Sequence, residues 1–420
     1  MTDDILYQIQ TMQFRDKSAA EQLLVNFIRD TFALPVRTVE LRPLAVSLNS
    51  FNGFLTLDDE KKLFFKTHAE PDTVIAEYYN ARRLADAGYP VIQPVFSSTE
   101  AGKQLLIYEV ITAPSVFDVA WDIENGDKTY FDALTEAQNH ADDLLFQYYQ
   151  ETIAFQDAND AALAPIHQLF FHRLVGGRLE RFYGALPGQN GDSHHIKLPS
   201  GEFNMHSIRQ VKWQINGQFY AQNLDEMILN AIHLLNPLQS GISVIGHGDA
   251  HNGNVFFEAN AIPPSLLYFD PAFAGRHDPL LDIVKPLFHN IFAMWMYFPA
   301  DKARDTHIRL QTADDKWIVE HDYRLHPIRL MFLRSKIDRV ITPLLHMLKK
   351  NEQLRSDWRT YLKCALFCCP FLTMNLTDQQ KFTPEISLLG LVMSIEMGCE
   401  SNGKRSQIDL ILDEINQSIV

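Results

Sequence analysis

Apolar and polar positions change their period twice along the chain. At the start, Ala19, Leu23, Phe27 and Ile28 recur at helical spacing. That predicts a helix through residues 1–32, ended by Pro35. The texture then shortens into apolar runs bounded by turn residues, predicting strands at 39–47, 54–57 and 62–66. A helix follows over 74–87, with Asp72 or Thr73 to cap it and Gly88 to end it. Two more strands fall at 91–96 and 105–111, after which Thr112-Ala113-Pro114 breaks the pattern. Beyond that break the period is helical. Leu144, Leu145, Tyr148, Tyr149 and Ile153 mark a core-facing stripe over 135–158, and 167–183 and 223–235 continue in the same style. Between them, 186–204 is rich in Gly, Pro, Ser and His and reads as a long loop, with the candidate insertion spanning 186–220. Near the end, Ser356 precedes a helix over 357–368, and Thr383-Pro384-Glu385 opens another that Gly398 closes.

The helical texture is interrupted once more, by 246–270. A short apolar run, Ile242-Ser243-Val244-Ile245, leads into a loop carrying His247, Asp249, His251, Asn252 and Asn254. The runs Val255-Phe256-Phe257 and Leu266-Leu267-Tyr268-Phe269 then form a predicted hairpin that ends in Asp270. Asp and Asn make turns well on their own account. A His-Asp-His-Asn set on one loop, with a second Asp closing the returning strand, is more than turn formation needs, and loops on a rigid scaffold are where chemistry gathers.

The segment His247-Gly248-Asp249-x-x-x-x-Asn254, with Asp270 closing a strand, resembles the catalytic and metal-binding loops of the aminoglycoside phosphotransferase and choline kinase superfamily. The likeness covers 242–282. It implies an α+β, two-lobed protein-kinase-like fold. A small antiparallel β-rich lobe would span residues 1–111, with a helical extension at 1–34, and a larger helical lobe residues 112–420. It also implies ATP-dependent transfer of a phosphoryl group to a hydroxyl of a small molecule, with Mg²⁺ as cofactor and GTP left open as donor. In that scheme Asp249 is the base on the catalytic loop, 246–254. Asn254 and Asp270 are the metal ligands, Asp270 lying on the metal loop, 266–272. His247, His251 and Asp282 support the loop. Lys66 at the end of the third strand pairs the phosphates, and Glu77 on the next helix holds it. The loop containing Ser50 and Gly53 covers the phosphates, and the backbone at Glu109 and Val110 meets the adenine. The chain departs from the pattern in having one glycine in place of a GxGxxG, and in Pro271-Ala272 after Asp270 where protein kinases carry Phe-Gly. The second departure favours small-molecule kinases.

Composition narrows the partners. With 420 residues at 46% hydrophobic the chain can bury a large core, and its net charge of −15 argues against nucleic acid or an anionic membrane. The same charge tolerates a cationic acceptor; Trp213 and Tyr220 read first as buried core, and as an aromatic cage only for such a cation. Met1-Thr2-Asp3-Asp4 lacks the basic start of a signal peptide, and no apolar run reaches membrane-spanning length. The four cysteines Cys364, Cys368, Cys369 and Cys399 lack a second paired motif and read as small core residues of a cytoplasmic protein. Oligomeric state and acceptor stay open. Two other functions fit parts of the pattern: a metal-dependent hydrolase using His247, Asp249 and His251, and a catalytically silent nucleotide-binding regulator.

Overall fold

The computed structural model describes residues 5–42, 50–68, 71–98, 100, 102–191, 194–313 and 315–419; at 50, 68 and 71–77 it describes the backbone alone. The fold is α+β and divides into two compact units, Met1–Pro114 with Leu267–Ala272, and Ser115–Leu266 with Phe273–Val420.

The smaller unit is a five-stranded sheet with helices α1 (Ile5–Met12) and α2 (Lys17–Phe32). Its strands are β1 (Val36–Leu41), β2 (Ser50–Leu57), β3 (Lys62–His68), β4 (Phe96–Ser98) and β5 (Leu105–Glu109), in the spatial order β1-β2-β3-β5-β4. Every neighbouring pair is antiparallel. Helix α3 (Pro71–Asp86) follows β3. The predicted single helix at 1–32 is interrupted because Asp16 caps a new start, its carboxylate accepting from the Ala19 N–H at 3.0 Å. Leu6, Ile9, Leu24 and Ile28 from the helices pack with Val36, Leu55, Phe65 and Ile107 from the sheet. Each such burial is worth roughly 1.5–3 kcal/mol. The first strand closes at Leu41, short of the predicted 39–47. Residues 43–49, which include Ser47, Leu48 and Asn49 of the predicted phosphate loop, lie outside the described residues, as do the cap side chains of Asp72 and Thr73. Of the predicted strand at 91–96, an isolated bridge from Val91 to Tyr268 and the start of β4 remain.

The larger unit is mostly helical. Helices α4 (Val116–Glu124) and α5 (Phe131–Thr152) lead into β6 (Ala154–Gln156). Strand Gly241–Gly246 pairs antiparallel with β6 along one half of its length and with Gly275–His277 along the other. That pinned strand delivers the polar loop. Side chains brace it as well: Thr152 Oγ1 accepts from the Ile245 N–H at 3.1 Å, and Arg276 donates to the Thr152 carbonyl at 2.8 Å. Helices Trp358–Leu372 and Pro384–Gly398 are buried along most of their length, which explains why they carry little amphipathic pattern. Thr383 caps the second of these as predicted, while the first starts at Trp358 with no side-chain cap. Cys364, Cys368, Cys369 and Cys399 are free and buried.

The predicted long loop at 186–204, and the insertion to 220, carry regular structure from His195 onward. Hairpin strands His195–Leu198 and Gly201–Asn204 precede the short helix Met205–Gln210. Strands Lys212–Ile215 and Gln218–Tyr220 then join a second five-stranded sheet with Ile308–Thr312, Lys316–His321 and Ser401–Gly403. Trp213 and Tyr220 are buried there, Trp213 packing edge-on against Trp317 at 5.3 Å, so they form core rather than an open cage. Among the described residues no helix is long and apolar enough to cross a membrane.

Candidate active site

In the smaller unit, sheet geometry brings Lys66 and Asp270 together. Lys66 lies in β3 opposite Asn52 and Leu106, and its Nζ stands 2.9 Å from Asp270 Oδ1. Asp270 adopts a left-handed backbone, φ 55°, which costs a non-glycine residue free energy and is held by its surroundings. Beside the pair, Phe64, Tyr108 and Phe269 form an aromatic cluster with centroids 5.8–6.5 Å apart, Phe269 meeting both other rings edge-to-face. Glu109 ends β5 with its backbone opposite Leu63 and its exposed carboxylate 2.9 Å from Lys61 Nζ; Val110 follows it. Gly53 lies inside β2, between Leu41 and Phe65, not in a loop. An added Cβ there would sit 2.1 Å from the Glu40 carbonyl oxygen, so the strands leave room only for glycine. Ser50 starts the same strand. Glu77 belongs to α3, and its side chain is outside the described residues.

In the larger unit the loop after Gly241–Gly246 is tied down from several directions. Asp282 is buried and receives the Gly248 N–H at 2.6 Å, His277 Nε2 at 2.9 Å and the Tyr149 hydroxyl. Burial pushes the Asp282 carboxyl up, but His277, Tyr149 and the Gly248 N–H together outweigh it and hold it below its ordinary value. Two glycines make this approach feasible. A Cβ on Gly246 would lie 2.4 Å from the Asp282 carboxyl carbon. Gly248 has φ +78° and no room beside the Phe273 carbonyl. His247 is buried, its Nδ1 3.4 Å from the Asp249 N–H. Nδ1 of His251 accepts the Gly253 N–H at 3.1 Å, and Asn290 Oδ1 accepts the Asn252 N–H at 2.7 Å.

On that braced loop Asp249 stands apart. Its Oδ1 is buried and makes no hydrogen bond, with Lys285 Nζ at 3.5 Å and His251 Nε2 at 4.0 Å. Nδ2 of Asn254 donates to the Asp249 carbonyl at 2.9 Å. This commits the amide NH₂ and leaves Oδ1 as the Asn254 oxygen donor. Lys285 and His289 share a helix face. The Lys285 ammonium donates to His289 Nε2 at 3.0 Å, and His289 Nδ1 lies 2.7 Å from the Tyr297 hydroxyl. Burial, then the Lys285 charge, hold His289 well below its ordinary value, so the ring is neutral, accepts at Nε2 and donates at Nδ1. Burial likewise pushes the Tyr297 hydroxyl up, keeping it protonated.

Lys285, His289, Tyr297, Tyr149 and Asn290 escaped the sequence reading. The one available signal was a lysine inside the apolar run from Ile283 to Phe292, where an unpaired charge is costly. Among the described residues, no group of three or more His, Cys, Asp or Glu side chains is placed to hold a metal ion. His247, Asp249 and His251 therefore do not form such a set.

No protein-family model matches the chain, and no curated protein does. Among solved structures it is similar to a spectinomycin phosphotransferase in complex with ADP and spectinomycin, at 12% identity over 89% of this chain and 98% of that one, TM-score 0.42. It is similar to an amicoumacin kinase in complex with AMP-PNP and Ca²⁺, at 14% identity over 86% and 87%, TM-score 0.39. A thermostable mutant of an aminoglycoside phosphotransferase in complex with ADP and hygromycin B follows at 8% identity over 89% and 97%, TM-score 0.45. The solved structures that this chain resembles are thus small-molecule phosphotransferases and kinases.

Proposed function

We propose that this protein transfers the γ-phosphoryl group of ATP to a hydroxyl of a small molecule. The observation that carries the reading is Asp249: a carboxylate with a buried oxygen that makes no hydrogen bond among the described residues, on a loop that Asp282, His251 and Asn290 brace from behind. Buried polar groups are ordinarily satisfied, and an exception on a rigid loop marks a place for a reacting partner.

In this scheme the acceptor hydroxyl donates its hydrogen bond to Asp249. As the hydroxyl oxygen forms its bond to the γ-phosphorus, the bond from phosphorus to the β,γ-bridging oxygen breaks and ADP leaves with that electron pair. The hydroxyl proton passes to Asp249 and then to solvent. Lys285 keeps the Asp249 carboxylate oriented by standing beside it. Lys66, on the smaller unit, is the candidate partner of the α- and β-phosphates, and Glu109 and Val110 offer backbone groups to the base. Asp270 and Asn254 would hold Mg²⁺. One anionic and one neutral oxygen, neither used up by protein hydrogen bonds beyond the Lys66 contact, suit a hard cation that keeps most of its shell for phosphates and water. Bound with the nucleotide, Mg²⁺ supplies charge neutralisation across the β- and γ-phosphates.

The test is ADP release from ATP in the presence of a panel of small alcohols, with Asp249→Asn as the blank. Acceptor-dependent release that Asn abolishes supports the reading. Acceptor-dependent release that Asn leaves intact removes Asp249 from it.

A further inference from the structure

Several arginines of this acidic chain are neutralised by carboxylates. Arg209 pairs with Asp225, Arg329 with Glu124, Arg339 with Asp143 and Arg359 with Glu400. Three others gather in one place. Arg173, in helix Phe171–Val175, and Arg178 and Arg181, in helix Arg178–Tyr183, line one open cavity together with Gln168 and His172. Among the described residues none of the three makes an ion pair. Arg173 donates to Thr373 Oγ1 at 3.2 Å, and its Nε is buried with no acceptor. Arg178 donates to the Leu372 carbonyl at 3.2 Å, and Arg181 lies over the Phe182 ring at 5.3 Å. Their charges work against one another. Burial first, then Arg173 and Arg181, bring the Arg178 guanidinium down to about 10. Burial brings the Arg173 guanidinium down, and the Cys369 thiol and then the Asp249 carboxylate act on it in the opposite sense.

Three guanidiniums in one cavity that make no ion pair among the described residues, one with an unused donor, are an arrangement an anion would relieve. Guanidinium groups favour carboxylate and phosphate oxygens. The cavity also neighbours the candidate base through Arg173. We propose that Arg173, Arg178 and Arg181 form the acceptor side of the site and bind an anionic group, so that the hydroxyl compound phosphorylated at Asp249 carries a phosphate or carboxylate. This rests on the phosphotransferase reading and gives it a substrate class. It reverses the expectation from net charge, because the local charge beside Asp249 is opposite in sign to that of the whole chain.

The test offers the full chain ATP, Mg²⁺ and matched small alcohols: glycerate and glycerol 3-phosphate against glycerol, choline and ethanolamine. ADP release is followed, and glycerate against glycerol 3-phosphate separates carboxylate from phosphate. The expected result is turnover of an anionic member. Arg178→Gln should raise its KM roughly 10- to 100-fold, the loss of a charged hydrogen bond, while the KM for ATP stays unchanged. Arg181→Gln, which removes no hydrogen bond within the protein, should raise it too and guards against misfolding of the first variant. Turnover of the neutral or cationic alcohols alone overturns this inference and leaves the phosphotransferase reading standing. If none of these alcohols is turned over, calorimetric titration with glycerol 3-phosphate decides. Binding that Arg178→Gln and Arg181→Gln both weaken upholds the anion site while the phosphotransferase reading loses its support, and no binding overturns the inference.

Discussion

Asp282 and Asp249 are carboxylates of the same unit, joined through one loop, and they are treated in opposite ways. Behind the loop, Asp282 is buried with both oxygens occupied by His277, Tyr149 and the Gly248 N–H. At the front, Asp249 keeps a buried oxygen with no hydrogen bond among the described residues, with the Lys285 ammonium 3.5 Å away. A carboxylate that spends every lone pair on the protein holds shape. One that spends none on that oxygen is kept for something arriving from outside. The residue type is the same at the two sites, Asp249 is the more exposed of the pair, and the hydrogen-bond inventory separates anchor from reagent.

The contrast can be broken from its rear first. Asp282→Ala strips a buried site of the group that three donors face, and should cost about 3–5 kcal/mol of stability, read by chemical denaturation. A loss below about 1 kcal/mol would make Asp282 a bystander. Tyr149→Phe removes one of those donors and should cost less, about 1.5–3 kcal/mol, with phosphotransfer falling in step with the folded fraction. Acid sharpens the picture. Burial lowers the His167 ring to about 4, and the His321 ring likewise to about 4. These rings stay neutral when folded and protonate near 6.5 when unfolded, so the unfolded chain binds more protons below that pH. Stability is therefore full above about 6.5 and is lost as the pH falls toward 4, by about 2–3 kcal/mol for His167 alone at pH 4.5. The depressed Asp282 carboxyl adds its loss only below its ordinary value. Denaturation midpoints equal at pH 7 and pH 4.5 would contradict this. The smallest effect belongs to the exposed pair Arg339–Asp143 on the same unit. Arg339→Ala should change stability by under about 1 kcal/mol, which sets the scale against which the loop substitutions are judged.

Much of this was legible along the chain because it is local. His247, Asp249, His251 and Asn254 crowd a single loop, and the runs on either side give the strands that carry it. The antiparallel strands of the smaller unit and the Thr383 cap were readable for the same reason. What stayed hidden is what comes from far away in sequence. Tyr149 reaches Asp282 across 133 positions, and Lys285 stands beside Asp249 only because a helix turns back onto the loop. The stretch 186–220 reads as loop because its strands are only three or four residues long, too short to show alternation. Their partners, Lys316–His321 and Ser401–Gly403, lie around a hundred or more residues downstream of Lys212–Ile215 and Gln218–Tyr220. The local charge of the proposed anion site stays hidden for a related reason. Net charge sums the whole surface, whereas Arg173, Arg178 and Arg181 gather in one cavity.

The central claim is that Asp249 is spared structural work so that it can do chemistry. The most direct test is Asp249→Asn, measured twice on one preparation. Acceptor-dependent ADP release should fall by roughly 10²–10⁴-fold. The melting temperature should stay within about 3 °C, since no hydrogen bond to its Oδ1 is lost. A variant that keeps its activity, or one that loses activity only in proportion to lost folding, would contradict the account.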